Sequence, residues 1–192
     1  MNKNRHRTML MKQWLPTPQF MERHATIVAG PAEVVIEALA SFDTSNDPLI
    51  LRLLQLREAP SRLLGRLGGR SALTGRPCFG LQDFILLERR SDFLAFGLAG
   101  KFWELDFGLH PIATPEEFRT LAKPGVAKFV MTYALSSRSD GRLDLVTETQ
   151  VQCPDARSML PFTLYWYLIR LGSGLIRRRI LSAVSVRSTL AP

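Results

Sequence analysis

A chain of 192 residues with 46 % hydrophobic and 22 % charged residues has the size and composition of one folded domain with a sizeable core. Its two cysteines, Cys78 and Cys153, lie far apart outside any CxxC pair, which argues against a disulfide scaffold and for a reducing, cytoplasmic setting. The net charge of +8 raises the question of an anionic partner, but aromatics are not interleaved with the basic segments, so nucleic acid is not the expected one.

The basic charge is uneven. Met1 to His24 carries five Lys/Arg against one acid, Arg52 to Arg76 six Arg against one Glu, and the chain from Ala156 onward six Arg and no acid. Brought together, these segments would attract phosphates, an anionic membrane surface or an acidic partner. The first of them, MNKNRHRTMLMKQW, has too short an apolar run for a signal peptide, and residues 1–19 read as a flexible basic arm ahead of a single domain over 20–190.

Glu22 to Ala29 is β-branched and ends at Gly30-Pro31, which predicts a strand followed by a helix with Pro31 at its start. Val34, Val35, Ala38 and Leu39 give that helix an apolar stripe. After the break at Thr44–Pro48, with Asp47 as cap, a second helix is expected over Leu49 to Leu56. Ala59 to Cys78, rich in Gly and Arg, predicts a loop with at most one helical turn near Arg62 to Leu67. Its GRLGGR lacks the Lys-Ser/Thr of a phosphate-binding loop.

Strands are then expected at Phe79–Arg89, Phe93–Gly100, Trp103–Leu109, a short piece near Phe118, Val126–Ser136 and Arg142–Gln152, separated by turn-forming residues. Short connections without helices predict an antiparallel meander. In the Val126 strand, alternation directs Phe129, Met131, Tyr133 and Leu135 inward. In the last strand it directs Leu143, Leu145, Thr147, Thr149 and Val151 inward. The opposite choice would bury Glu148 and demand a cation such as Arg170 beside it.

From about Arg157 to Leu190 a long apolar-aromatic helix follows. Its window from Met159 to Ile176 contains Pro161, Arg170 and Gly172 and suits a core helix better than a membrane span. Tyr165, Ile169, Gly172, Ile176, Ile180 and Val184 form its buried stripe, with Trp166 and Arg170 on the next. Gly172-Ser173-Gly174 should loosen or kink it, or else admit a close neighbour. Arg177-Arg178-Arg179 covers nearly a turn and reads as a solvated end or an anion contact.

This order of elements, with ERHATIVAGPAEVVIEAL at the start, TETQV in the last strand and FTLYWYLIRLGSGLIRRRIL in the helix, resembles the START/Bet v 1-like superfamily, which includes polyketide cyclases and lipid-transfer proteins. The likeness spans roughly Phe20 to Leu190. It implies an α+β helix-grip fold, in which a curved antiparallel sheet of about six or seven strands wraps a long C-terminal helix around a hydrophobic cavity. It transfers no catalytic residue to this chain.

Three functions follow as expectations. The first is a binder of a hydrophobic small molecule or lipid, with Trp103, Tyr133, Thr147, Thr149, Tyr165, Trp166 and Ile169 as the cavity wall. The second is a cyclase- or hydrolase-type enzyme using Glu148 or another cavity carboxylate as general base, and the third a protein that docks on an anionic membrane surface or a partner through its Arg-rich segments. The three histidines make no metal-ligand spacing, and no cofactor motif or catalytic triad occurs, so no metal, no cofactor and no catalytic residue is expected from the sequence.

Overall fold

The computed structural model describes residues 12–43, 46–67, 73 and 75–190, with the side chains of 186–190 left undescribed. The first strand, β1 (Phe20–Val28), leads into helices α1 (Ala32–Ala40) and α2 (Pro48–Arg66). Strands β2 (Ile85–Arg89), β3 (Phe93–Gly100) and the two-residue β4 (Leu109–His110) follow, then a short helix α3 (Pro115–Thr120). Strands β5 (Ala127–Ser137) and β6 (Leu143–Gln152) complete the sheet, and α4 (Ala156–Leu190) closes the chain. The architecture is the expected α+β helix grip: a six-stranded antiparallel sheet ordered β1-β6-β5-β3-β2, with β4 paired to β3, and a long C-terminal helix across one face.

Register explains which side chains meet that helix. Tyr133 on β5 pairs with Thr147 on β6, which in turn pairs with His24 on β1; one step along, Met131, Thr149 and Glu22 form the parallel row. Because side chains alternate, both rows point to the same face as Leu94, Phe96 and Leu145, the face packed on Ile180, Leu181 and Val184 of α4. Val35, Ile36 and Leu39 of α1 and Ile50 of α2 complete this main core. The opposite face, carrying Ala95, Val130 and Ala134, is covered by Phe118 of α3 together with Trp14 and Leu15.

Several expectations are corrected. Residues 1–11 of the supposed arm lie outside the described residues, but the rest of it is not free. Trp14 and Leu15 are buried on the outer sheet face, with the Trp14 and Phe118 rings meeting edge-on at 6.4 Å. Two apolar residues there spare Val130 and Ala134 from solvent, which decides the matter over local charge.

Helix α2 does not stop near Leu56 but runs to Arg66 through Pro60. Proline deprives the Leu56 carbonyl of its donor, yet Leu56 is 73 % exposed, so water can take that bond. The helix is held from within by Glu58, fully buried, which accepts from the Phe79 backbone N–H at 2.6 Å and from Arg62 at 2.7 Å. Arg62 further donates to the carbonyls of Leu73, Arg76 and Pro77, stitching the start of the following segment back to the helix. The second half of the GRLGGR run, Gly68 to Arg70, lies outside the described residues.

The predicted strand Phe79–Arg89 is shorter: a 3-10 turn occupies Leu81–Asp83 before β2 begins. Of the predicted strand Trp103–Leu109, residues 103–108 form a folded loop and only Leu109 enters a strand, β4. Phe107 takes φ 68° and Gly108 φ 46°, and the guanidinium of Arg57 on α2 collects the carbonyls of Phe102, Glu104 and Leu105. Those carbonyls are thereby satisfied without a neighbouring strand. The piece near Phe118 is helical, since Thr114 caps it by accepting from the Glu117 N–H and Pro115 sits in its first turn.

Helix α4 passes through Gly172-Ser173-Gly174 without a break. At Gly174 a Cβ would stand 3.0 Å from Glu22 Oε1, so this glycine admits close packing on β1. At Gly172 a Cβ would meet nothing within 4 Å. No helix among the described residues is long and apolar enough to cross a membrane.

Candidate functional site

Sheet, α2 and α4 do not close completely on one another. Between them lies a cavity of about 310 Å³, at the small end of the range for small-molecule sites. Its floor is the inner sheet face, Leu98, Phe129, Met131 and Tyr133; its roof is α4, with Phe162, Tyr165, Trp166, Ile169, Gly172 and Ile176. Leu53 and Leu54 of α2 form one side, and Phe79, Phe84 and Phe107 another. Leu168, 81 % exposed, stands at the rim.

The aromatic end is tightly built. Phe162 is buried and contacts the rings of Phe20 at 4.8 Å, Tyr165 at 6.0 Å and Trp166 at 6.0 Å, while Phe79 stacks on Phe107 at 4.7 Å. Arg57 lies over both Phe107, 4.5 Å from the ring centre, and Tyr165, at 5.3 Å. With three carbonyls already bound, its charge is committed to holding the 102–107 loop against α2.

The polar end is different. Arg177 lines the cavity only 6 % exposed, and its Nη1 is buried with no hydrogen-bond partner; no ion pair involves it among the described residues. Burial lowers its pKa from the ordinary guanidinium value, against the opposing influence of Tyr133 and Glu22. Tyr133 is buried beside the same region, and burial raises its phenol above 10, opposed in part by the Arg177 charge. Its hydroxyl lies 3.5 Å from the Met131 sulfur and beside the Thr147 hydroxyl, whose influence also opposes the rise. Underneath, Glu22 Oε1 contacts the His24 ring nitrogen at 2.9 Å, while Glu22 Oε2 and the hydroxyls of Thr147 and Thr149 have no partner. A buried polar group without a partner costs roughly 1–3 kcal/mol, so this cluster is a departure that asks for a reason.

Four of the residues expected on the wall are on it: Tyr133, Tyr165, Trp166 and Ile169. Trp103 is not. It packs behind Phe162 at 6.4 Å, because the loop that replaces its strand turns it away. Thr147 and Thr149 do face inward, but on β6, under the crossing of α4 over β1, so they lie beneath the cavity's polar end and not on its surface.

Glu148 points to the outer face, where it accepts from Gln150 at 2.8 Å; it is no cavity base, and the enzyme reading loses the one carboxylate it rested on. Arg177 was missed as a wall residue. Three consecutive arginines point about 100° apart and fan over about 200° of a helix, so they cannot all face solvent beside the buried stripe, and Tyr165–Ile169–Ile176–Ile180 indicates which turns inward. Arg178 and Arg179 are exposed, and Arg179 binds Asp47 at the start of α2 at 2.7 Å.

Other chemistry is sparse. Burial pushes the Cys153 thiol up to about 11 and, together with Glu58, raises that of Cys78, so both stay protonated at neutral pH and neither is an activated nucleophile. No group of His, Cys, Asp and Glu among the described residues is arranged to hold a metal ion.

No family model matches the chain, and no curated protein matches it. Among solved structures, the hypothetical protein jhp0584 from Helicobacter pylori is similar over 92 % of this chain and 93 % of its own, at 10 % identity and a TM-score of 0.38. Likeness at that level carries neither fold nor function across.

Proposed function

We propose that the protein binds a largely apolar small molecule in the cavity between the sheet, α2 and α4. The observation that supports this reading is a preformed space whose wall is aliphatic and aromatic apart from Arg57, Tyr133, Ser173, Arg177 and little else. Such a wall gives affinity through removal of apolar area from water, and the few polar groups give orientation. The resemblance to START/Bet v 1-like proteins points the same way.

The test uses a neutral fluorescent dye, N-phenylnaphthylamine, with native mass spectrometry of gently purified protein beside it. Gly172→Leu projects a side chain into the empty space next to Gly172 and should abolish dye uptake while the circular dichroism spectrum is kept. Undiminished uptake by a folded Gly172→Leu variant would remove the cavity from consideration.

A second reading, docking on an anionic membrane surface, has its own support. Leu160, Leu164, Tyr167, Leu168 and Leu171 are exposed along the outside of α4, Leu171 at 87 %. Spacings of three and four place them in one stripe, and Arg157, Arg170 and Arg178 border it with no acid anywhere on the helix. That combination of an apolar stripe, an interfacial aromatic and exclusively positive charge fits lipid headgroups better than a second copy of the same basic surface. Flotation with phosphatidylcholine vesicles containing phosphatidylserine should show binding that falls as salt rises and is lost in Leu164→Asp/Leu171→Asp. Salt-independent self-association by size exclusion, with no flotation, would assign the stripe to a dimer instead.

A further inference from the structure

The cavity holds one feature that a purely apolar ligand leaves unexplained. Arg177 is more than nine-tenths buried, lines the space, and its Nη1 has no hydrogen-bond partner among the described residues. The acidic group that acts on it is Glu22, whose Oε1 is engaged by His24 and packed under Gly174, and no ion pair joins the two residues. The other arginine on the wall, Arg57, has both terminal nitrogens on backbone carbonyls, three in all, and lies over two rings, leaving only its Nε without a partner. One guanidinium is therefore committed to structure and one is open.

We infer that Arg177 is the recognition point for a carboxylate, and that the ligand is a mono-carboxylate amphiphile whose apolar body lies along Phe129, Met131, Phe162 and Ile169. This rests on the cavity-binding reading above and gives it a direction: head toward Arg177, tail toward the aromatic end. A guanidinium presents paired N–H donors that match the two oxygens of a carboxylate, and in a low-dielectric pocket such a pair is worth far more than at the surface. The Tyr133 hydroxyl, whose acceptor is the weak Met131 thioether, supplies a further donor on the same side. A single open cation matches a monoanion; a phosphate monoester, with close to two charges, would leave one uncompensated. The ligand's carboxylate thus gives Arg177 Nη1 the acceptor that the described residues do not supply.

Full-length protein is titrated with dodecanoate and with dodecanol, the same tail with and without the charge, below their aggregation concentrations and at a pH where dodecanoate is ionised. Intrinsic fluorescence reports binding, because Trp166 lies on the wall. Wild type should prefer dodecanoate by about 10- to 100-fold, the contribution of a hydrogen-bonded charge pair. Arg177→Met should erase that preference by losing dodecanoate affinity while keeping that for dodecanol, and Arg177→Lys, which keeps the charge but not the paired geometry, should fall between. Equal binding of the two probes by wild type overturns the carboxylate assignment and leaves the cavity reading standing. Binding of neither overturns both. Should Arg177→Met fail to fold, the wild-type preference and Arg177→Lys decide; a preference unchanged in Arg177→Lys and in Tyr133→Phe also overturns the assignment.

Discussion

The sheet buries a cation on each of its faces, and the two are treated in opposite ways. On the outer face Lys128 of β5, 8 % exposed, donates to the Arg119 carbonyl at 3.1 Å and sits 4.8 Å over the Phe118 ring. On the inner face Arg177 of α4 is buried as deeply and has no such partner. Desolvation of a charge is offset only by hydrogen bonds or an opposite charge, so the first arrangement is self-sufficient and the second is incomplete. The outer face is accordingly structural, and the inner face is where a missing component belongs.

The largest test of that division removes one ring from each face. Phe118→Ala and Phe162→Ala should each cost about 3–5 kcal/mol in urea unfolding, because both side chains are fully buried. Only Phe162→Ala should also alter binding of the neutral dye per folded molecule, since Phe162 lines the cavity and Phe118 does not. Equal disturbance of binding by both variants would mean that the faces are not independent.

Next come the cations themselves. Arg177→Met removes an unpaired buried charge and should raise the stability of ligand-free protein by about 1–3 kcal/mol. Lys128→Met relieves a similar desolvation but abandons the Arg119 carbonyl and the Phe118 ring, and should lower stability by about 1 kcal/mol. Opposite signs in chemical denaturation sharpen the comparison; a loss of stability in Arg177→Met would show that Arg177 already has a structural partner.

How much of this was legible beforehand depended on whether a signal was local. The inward sets on β5 and β6 follow from alternation, so Tyr133, Thr147 and Thr149 were assigned to the right face. Helical spacing likewise brought Tyr165, Trp166 and Ile169 to the wall. What alternation cannot show is depth along the sheet: Thr147 and Thr149 pair with His24 and Glu22, the β1 residues that Gly174 of α4 packs against, and a tertiary crossing decides that. Trp103 misled because its segment has strand composition but surrenders its carbonyls to Arg57, which is distant in sequence. The extension of α2 through Pro60 likewise depended on the buried Glu58 and on solvent at Leu56.

A smaller effect separates the two glycines of α4. Gly172→Ala adds a methyl group into empty space and should stabilise by about 0.5–1 kcal/mol through helix propensity. In Gly174→Ala the same gain is opposed by a contact at 3.0 Å with Glu22 Oε1, itself held by His24, so the net change should be near zero or destabilising. Comparable gains at both positions would show that β1 yields easily beneath the helix and that the polar cluster there is loosely held.

The smallest expected effect is one of pH, and it bears on whether the outer cation is as settled as its contacts imply. Burial depresses the Lys128 pKa below 10.5, so the folded chain releases that proton at lower pH than the unfolded chain does. The unfolded state then binds more protons between the two values, and stability from this group rises with pH across that window and is lost as pH falls through the depressed value. Tyr133 runs the other way: its raised pKa contributes stability that is fully present below 10 and lost as pH climbs through the folded value. Subtracting the unfolding free energy of Lys128→Met from that of wild type across mildly alkaline pH cancels Tyr133 and leaves Lys128. The difference should rise with pH and level off above 10.5. A flat difference would mean that the Arg119 carbonyl and the Phe118 ring offset the desolvation entirely, which would make the contrast with Arg177 greater still.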